Sequence, residues 1–306
     1  MRSAVLVIGF NRPDLLRRVL ESLRPAAPSR VYLAVDGPRA SRAGEESQVR
    51  ECRELVKIID WGAEVHTLFQ ERNLGCGLGV STAISWFFES ETEGIILEDD
   101  ILADPSFFPY CDELLERYRN EPRVFAISGC NFVPPSAQSH PAESYRFSQV
   151  PHIWGWATWR RSWAQHRLDI ADWREKLPWR KLWMRSGKSL SGAIYWALTF
   201  EMLGRKRVDT WDGQFVMASM HAESWSATSN VNLVENLGFG LEATHTHVEV
   251  DTRTVEPIYL PTQPIRIELD TKADAWVRKH HFNVSMVGFT LMGWRYLRQQ
   301  TRRPTS

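Results

Sequence analysis

Three consecutive carboxylates, Glu98-Asp99-Asp100, directly follow the apolar run Ile95-Ile96-Leu97. Acids crowded at the end of a buried strand repel one another, and a cation among them stabilises the charged form. Hard oxygen ligands on a short turn suit Mg²⁺ or Mn²⁺, with the remaining positions filled by water and a diphosphate. The alternative is a purely structural turn into the next helix, because Asp104-Pro105 is typical of a helix start.

A second carboxylate with catalytic potential lies in Trp211-Asp212-Gly213, after the apolar helical stretch from Ser191 to Leu203. A carboxylate next to an acceptor hydroxyl can take the proton of that hydroxyl as its oxygen attacks a substrate. Asp212 is therefore the candidate general base, and Asp209 and Glu201 are its neighbouring rivals. The structural alternative is that Asp212 only caps a helix.

Two further motifs have open interpretations. The glycine-rich run that begins at Arg72-Asn73-Leu74-Gly75 opens a helix but lacks the lysine and spacing of the common phosphate loops. Arg72 could pair with a phosphate or with the acidic motif, or the run could be only a flexible helix start. His245 and His247 are two residues apart on a predicted strand, so both can face one site as metal ligands or form an ordinary polar face.

Short apolar runs alternate with amphipathic stretches over the first 130 residues, which predicts a mostly parallel sheet with helices on both faces. Polar residues follow four of these runs, at the carboxyl ends where such sheets bind ligands. The predicted strands are Val5–Ile8, Val31–Val35, Val65–Phe69, Ile95–Leu97 and Val124–Ile127. The predicted helices are Asp14–Leu23, Glu46–Ile59, Gly77–Phe88 and Phe107–Tyr118.

The acidic run, followed by Pro105 and Phe107-Phe108, resembles the nucleotide-sugar glycosyltransferases of the GT-A fold. Phe10-Asn11-Arg12-Pro13 and Val35-Asp36-Gly37 also match the way in which these domains open. The chain is especially similar to the animal N-acetylglucosaminyltransferases that begin N-glycan branching and to related bacterial sugar transferases. The resemblance implies a Rossmann-like α/β fold with a mixed, mostly parallel sheet flanked by helices and a tryptophan-rich extension on the acceptor side.

Specific roles follow from that resemblance. Asp100 is expected to bind a Mn²⁺ or Mg²⁺ ion on the donor's diphosphate, and Asp99 is expected to face the donor sugar or ribose, within a motif that Glu98 opens. Asp36 is expected to contact the base, most often uracil, while Asn11 and Arg12 line the same pocket. The alternatives are that Asn11 shapes the turn before Pro13 and that Asp36 belongs to an ordinary tight turn.

The second half of the chain is rich in tryptophan, with ten of the 14 between Trp154 and Trp225. The similar enzymes carry a Gly-Trp element over the donor sugar, which singles out Gly155 and Trp156, although most of these tryptophans are expected to pack in the core. The same enzymes carry Trp-Asp-Asp where this chain has Trp211-Asp212-Gly213, so the proposed base is kept and the second acid is not. The expected reaction is therefore an inverting sugar transfer.

The expected organisation is one glycosyltransferase domain over residues 1–250, with a nucleotide-sugar half (1–135) and an acceptor half (145–250), followed by a basic, aromatic helical extension (251–306). Residues 275–306 contain no acid, and residues 160–188 are strongly basic. Both regions could rest on an anionic membrane and meet a lipid-linked acceptor, or they could be ordinary solvated faces. The acceptor is therefore expected to be either a lipid-linked molecule or a glycan.

The whole-chain properties set the remaining expectations. The formal net charge is zero, which argues against a nucleic-acid partner. The spacing of the four cysteines indicates reduced core residues, and the sequence predicts no signal peptide or membrane span, so a cytoplasmic protein is expected, with a possible peripheral position at the membrane. Two other functions fit part of the pattern: a sugar-1-phosphate nucleotidylyltransferase and an inactive glycan- or nucleotide-binding relative.

Overall fold

The computed structural model describes residues 1–238, 253–258, 266–282 and 284. Eight strands of this part form one sheet and two short strands form another. The strands are β1 (Ala4–Gly9), β2 (Arg30–Val35), β3 (Glu64–Phe69), β4 (Glu93–Glu98), β5 (Ile101–Ala103), β6 (Val124–Ser128), β7 (Tyr145–Ser148), β8 (Trp156–Trp159), β9 (Trp225–Ser229) and β10 (Val234–Asn236).

The large sheet has the strand order β3-β2-β1-β4-β8-β6-β9-β7. Six of its strands run in one direction, whereas β8 is antiparallel to β4 and β6, and β7 is antiparallel to β9. The expected α/β class with a mixed, mostly parallel sheet is confirmed. The central strands are apolar throughout because helices cover both faces of the sheet.

The helices of the described residues fall into two groups along the chain, four in the first 120 residues and the rest in the tryptophan-rich half. They are α1 (Pro13–Ser22), α2 (Glu45–Glu54), α3 (Gly75–Ser90), α4 (Phe107–Arg117), α5 (Arg160–Trp163), α6 (Trp173–Lys176), α7 (Trp179–Arg185), α8 (Leu190–Gly204), α9 (Asp212–His221) and α10 (Thr271–His280). No helix among these residues is long and apolar enough to cross a membrane.

Alternate residues of β1 enter two separate hydrophobic cores. Val5 and Val7 pack in a core with α1, α2 and α4, whereas Leu6 and Ile8 pack on the opposite face with α3 and α9. This alternation follows from the two-residue period of a strand. A third core joins α6, α7, α8 and α9 outside the sheet.

The tryptophan-rich half contributes more to the sheet than its sequence indicates. The strand–helix alternation is lost after residue 145, which predicts an extension that closes over the sheet edge and is not an independent module. Instead, β7, β8 and β9 all join the main sheet, and β8 lies between β4 and β6. The two halves of the chain therefore share one sheet. The predicted extension at 251–306 is described only in part, and that part contains α10.

Candidate functional site

A cleft of about 900 Å³ opens at the carboxyl ends of β1, β2 and β4. This size is within the usual range for small-molecule and cofactor sites, and strand ends of this kind are where α/β sheets bind ligands. Six of the residues singled out from the sequence line the cleft together: Asn11, Arg12, Asp36, Glu98, Asp99 and Asp100. The parallel order of β2, β1 and β4 brings them to one edge.

Arg12 neutralises the acidic motif from the first turn after β1. Its guanidinium forms an ion pair with Asp99 and a second one with Asp100, in which Nη2 lies 3.1 Å from Oδ2. The backbone amide of Phe10 also donates to Asp99, at 3.3 Å. The cation that the crowded acids require is therefore supplied in part by the protein itself, although the sequence assigned Arg12 only to the nucleotide pocket.

The acids titrate unusually because they are crowded and shielded from water. Burial raises the pKa of Glu98, and the charges of Asp100, Asp99 and Asp212 raise it further. Burial also raises the pKa of Asp99, although the charge of Arg12 opposes that effect. A further positive charge in the cleft would stabilise the ionised form of both groups, so the site favours a cationic or metal-bound ligand.

Asp100 reaches the open part of the cleft, with 18% of its side chain exposed, and Glu98 is also only half-buried. The loop after β10 packs directly on it: the amide of Leu237 donates to the Asp100 carbonyl at 2.8 Å. A Cβ on Gly238 would lie 2.1 Å from Asp100 Oδ2, so a larger residue at this contact would displace the Asp100 carboxylate. The loop therefore fixes the position of the Asp100 carboxylate at the rim of the acidic motif.

The acidic motif fits a Mg²⁺ or Mn²⁺ ion whose other ligands come chiefly from the phosphate groups of a bound substrate. Within the described part of the chain, no three His, Cys, Asp or Glu side chains form a ready-made metal site. Mg²⁺ in nucleotide enzymes commonly uses one or two carboxylates, with phosphate oxygens and water as its other ligands. Asp100 supplies such an oxygen. The predicted ligands His245 and His247 lie outside the described residues.

Asp36 anchors the end of β2 to the start of α3. Its carboxylate accepts hydrogen bonds from the amides of Gly37, Leu74 and Gly75 at 2.9, 3.0 and 3.3 Å, and from Asn73 Nδ2 at 2.9 Å. Burial nevertheless raises the pKa of Asp36, because it outweighs these donors. The carboxylate thus shapes the floor of the cleft, and its contact with a base stays a prediction.

Arg72 does not lie where the sequence predicted, beside a phosphate or the acidic motif. It is exposed and does not line the cleft, so the prediction that it pairs with the acidic motif is wrong, because Arg12 holds that position. The start of α3 is also closed to phosphate. Asp209 accepts from the amides of Cys76 and Gly77 at 3.1 and 2.9 Å, and it thereby caps the helix.

The sequence assigned no ligand-binding role to a basic group that lines the other end of the cleft. Asn11 Nδ2 donates to Glu45 at 3.0 Å, and the buried Glu45 forms an ion pair with Arg39, which lies over the ring of Phe10. Arg42 lines the same end of the cleft. The available signal was that Arg39 lies only four residues after the end of β2. A ligand with negative charge would meet these two arginines.

The prediction that Trp156 covers the donor sugar is wrong. Trp156 is only 1% exposed, because β8 is a central strand, and its ring stacks on Trp211 within the core. Trp154 is the tryptophan that lines the cleft. Gly155 between them has a φ of 63°, and a Cβ on it would lie 2.5 Å from Val234. Glycine is therefore needed for the turn that exposes Trp154 and buries Trp156.

A second, aromatic cavity of about 310 Å³ adjoins the cleft, and Trp154 borders both. Tyr195, Trp196 and Phe282 line it, and Asp212 is its carboxylate among the described residues. Asp212 Oδ1 accepts from Thr210 Oγ1 at 2.5 Å and from the amide of Gly213 at 2.7 Å, whereas Oδ2 accepts from no described residue. Hydrogen bonds thus hold Oδ1 of Asp212 in place, whereas its Oδ2 is open to the cavity.

The two other candidate bases, Glu201 and Asp209, are both bound to other groups of the protein. Glu201 forms ion pairs with Arg174 and Arg205, and Asp209 uses both oxygens to cap α3. The charge of Asp212 contributes to the raised pKa of Glu98, so the carboxylate of Asp212 lies within electrostatic reach of the acidic motif. Asp212 is the one of the three that faces a cavity with an open oxygen.

Gly213 cannot be replaced by an acid without rearrangement. A Cβ at this position would lie 2.4 Å from Cδ1 of the buried Leu203 on α8. A second acid at this position would therefore require the Leu203 side chain to move.

No protein-family model matches the chain, and no curated protein is similar to it at a significant level. Solved structures show a distant likeness. HddC from Yersinia pseudotuberculosis is 10% identical, with 52% of this chain and 77% of that chain covered and a TM-score of 0.33. A UDP-glucose pyrophosphorylase complexed with UDP-glucose is 8% identical, with 75% of this chain and 90% of that chain covered and a TM-score of 0.38. The glycosyltransferase GlyE of Streptococcus pneumoniae is 10% identical, with 74% of this chain and 45% of that chain covered and a TM-score of 0.33.

Proposed function

We propose that this protein transfers a sugar from a nucleoside-diphosphate sugar to an acceptor hydroxyl, with inversion of the anomeric centre. The observation that carries the proposal is the position of Asp212. It opens one carboxylate oxygen to the aromatic cavity and lies within electrostatic reach of the acidic motif in the neighbouring cleft. A base in the acceptor cavity, close to the donor cleft, is what a transfer between two bound substrates requires.

The cleft is the donor site in this proposal. The nucleotide, expected to be UDP, lies along the ends of β1 and β2, with its base and ribose toward Arg39 and Arg42 and its diphosphate toward the acidic motif. Asp100, at the open side of the acidic motif, would hold a Mn²⁺ or Mg²⁺ ion, which would supply positive charge to the donor's diphosphate. Arg12 favours the ionised form of Asp99 and reduces the repulsion among the acids.

The aromatic cavity receives the acceptor, either a glycan or the head of a lipid-linked molecule. Sugar rings have apolar C–H faces that pack on aromatic side chains such as Trp154 and Tyr195. The acceptor oxygen forms a bond to the anomeric carbon, and the bond from that carbon to the diphosphate breaks. The acceptor proton passes to Asp212 Oδ2, and the nucleoside diphosphate leaves. One direct displacement inverts the anomeric centre.

Product stereochemistry and an Asp212→Asn variant test this function. With a panel of α-linked nucleotide sugars and Mn²⁺, we expect a β-linked product by proton NMR. The variant keeps the hydrogen bonds of Oδ1 but removes the base, so turnover should fall by about 10² to 10⁴. The thermal stabilisation by nucleoside diphosphate should be unchanged, because the donor site is in the other cleft. Glu201→Gln is the matched control and should turn over normally.

Three outcomes would overturn parts of this proposal. A retained anomeric configuration would exclude the direct displacement. Normal turnover by Asp212→Asn would move the base to another residue. Release of pyrophosphate from a nucleoside triphosphate and a sugar 1-phosphate, without sugar transfer, would identify a nucleotidylyltransferase. The chain lacks the glycine-rich basic loop typical of that class, since Asn11-Arg12-Pro13 leads from β1 straight into α1.

A further inference from the structure

The exposed large hydrophobic side chains are concentrated on one part of the surface. Eight such side chains occur among the described residues, and six of them lie between residues 179 and 198. We call these six the apolar ridge: Trp179, Trp183, Met184, Leu190, Ile194 and Leu198. Scattered exposed apolar residues are ordinary, but a contiguous group of this kind marks an interaction surface.

Helical periodicity explains how the ridge is built. Trp179 and Trp183 are four residues apart on α7, and Leu190, Ile194 and Leu198 follow at the same spacing on α8, so each set lies along one side of its helix. The two helices pack against each other. The stripe on α8 is 38 to 63% exposed, so it lies outside the hydrophobic core.

Positive charge exceeds negative charge around the ridge. Residues 176–200 contain five basic residues and no Asp or Glu. Lys181 pairs with Glu223, and Arg185 is buried. The other three are exposed, and their side chains form no ion pair with any described residue: Lys176, Arg180 and Lys188.

We propose that the apolar ridge and these three cations dock the protein on an anionic lipid surface. Tryptophan and leucine side chains can enter the boundary between head groups and acyl chains, while lysine and arginine remain at the level of the anionic head groups. A second copy of the chain is a poorer partner. A two-fold contact through this surface would bring the same unneutralised cations together, which is repulsive.

The position of α8 connects this surface to the aromatic cavity. Its outward stripe belongs to the ridge, whereas Tyr195, Trp196 and Thr199 on its other side line the cavity that contains Asp212. A bilayer against the ridge would therefore be about one helix diameter, roughly 10 Å, from that cavity. An acceptor anchored in the lipid could reach Asp212 over this distance. That last link rests on the proposed function, but the docking itself does not.

Vesicle sedimentation of the full-length protein tests the docking independently of any enzymatic activity. Vesicles of phosphatidylcholine with phosphatidylglycerol should bind the protein at low salt, and pure phosphatidylcholine should bind it far more weakly. The triple variant Lys176→Gln/Arg180→Gln/Lys188→Gln should lower the partition coefficient by about fivefold for each charge, or about 100-fold in total.

The apolar part of the surface is tested by Leu190→Gln/Ile194→Gln/Leu198→Gln, which should lower the partition coefficient by about tenfold or more. Phe69→Gln/Leu78→Gln is the matched control, because both side chains are exposed but lie outside the ridge. Circular dichroism should be unchanged in every variant. The control should bind vesicles like the wild type.

Three results would overturn the proposal. The first is that the wild type does not sediment with anionic vesicles at low salt. The second is that the ridge variant binds them as well as the Phe69 and Leu78 control. The third is that the wild type is a dimer in sedimentation velocity without lipid and the ridge variant is a monomer, which would make the ridge an interface between two copies. If the wild type binds anionic vesicles but transfers no sugar, that result would count against the proposed function alone.

Discussion

Replacing Arg12 by Leu removes the positive charge from the acidic motif while leaving an apolar side chain in its place. Arg12 donates to Asp99 through Nε at 3.4 Å and also through its terminal nitrogen, and it pairs with Asp100. The Asp99 side chain is 4% exposed, so water cannot replace the lost partner. The variant therefore leaves a buried carboxylate next to two others.

The expected loss of stability can be derived from this geometry. Removing one partner of a buried ion pair costs about 3 to 5 kcal/mol. The lower end, about 3 kcal/mol, applies here because 30% of the Arg12 side chain is exposed. The cost arises only when Asp99 is ionised. Burial raises the pKa of Asp99 to about 6, so the carboxyl is mostly protonated near pH 5 and ionised near pH 8.

The sign of the pH dependence follows from this raised pKa. In the wild type, the contribution of Asp99 to stability is present below about pH 4 and is lost as the pH rises through about 6. Without Arg12 the pKa rises further, so the variant should lose about 3 kcal/mol near pH 8 and no more than about 1 kcal/mol near pH 5.

Urea unfolding at the two pH values measures the effect. Arg24→Leu is the control, because Arg24 and Asp60 form an exposed pair and should contribute little at either pH. The double variant Arg12→Leu/Asp99→Asn should recover most of the stability near pH 8, since Asn carries no charge. Equal losses at both pH values would refute the conclusion that Arg12 acts by neutralising Asp99.

Two further predictions concern the metal and the packing of α9. Asp100→Ala should abolish metal-dependent binding of a nucleoside diphosphate in calorimetry, with the melting temperature nearly unchanged because Asp100 is partly exposed; undiminished binding would exclude Asp100 from the site. Gly213→Ala should destabilise the fold by about 1 to 3 kcal/mol through collision with Leu203. Adding Leu203→Ala should cost less than the sum of the single changes, and strict additivity would show that the two positions do not collide.

The sequence determined the architecture of the first 130 residues and the edge at which polar residues meet. The five predicted strands and four predicted helices there all occur, with ends within two residues of those predicted, except that α2 ends at Glu54, five residues before the predicted Ile59. Apolar periodicity specifies such elements locally, and parallel strands necessarily bring their carboxyl ends to one edge. For this reason Asn11, Asp36 and the acidic motif could be grouped in one cleft before the structure was known.

Tertiary structure alone decided which side chains in that region are available to a ligand. Trp154 and Trp156 are equivalent by composition, but the insertion of β8 between β4 and β6 buries one and leaves the other in the cleft. Asp209 and Asp212 are both acids near a helix start, yet the amides of α3, more than 130 residues earlier, occupy Asp209. Such roles depend on contacts between distant segments, and local sequence patterns do not contain them.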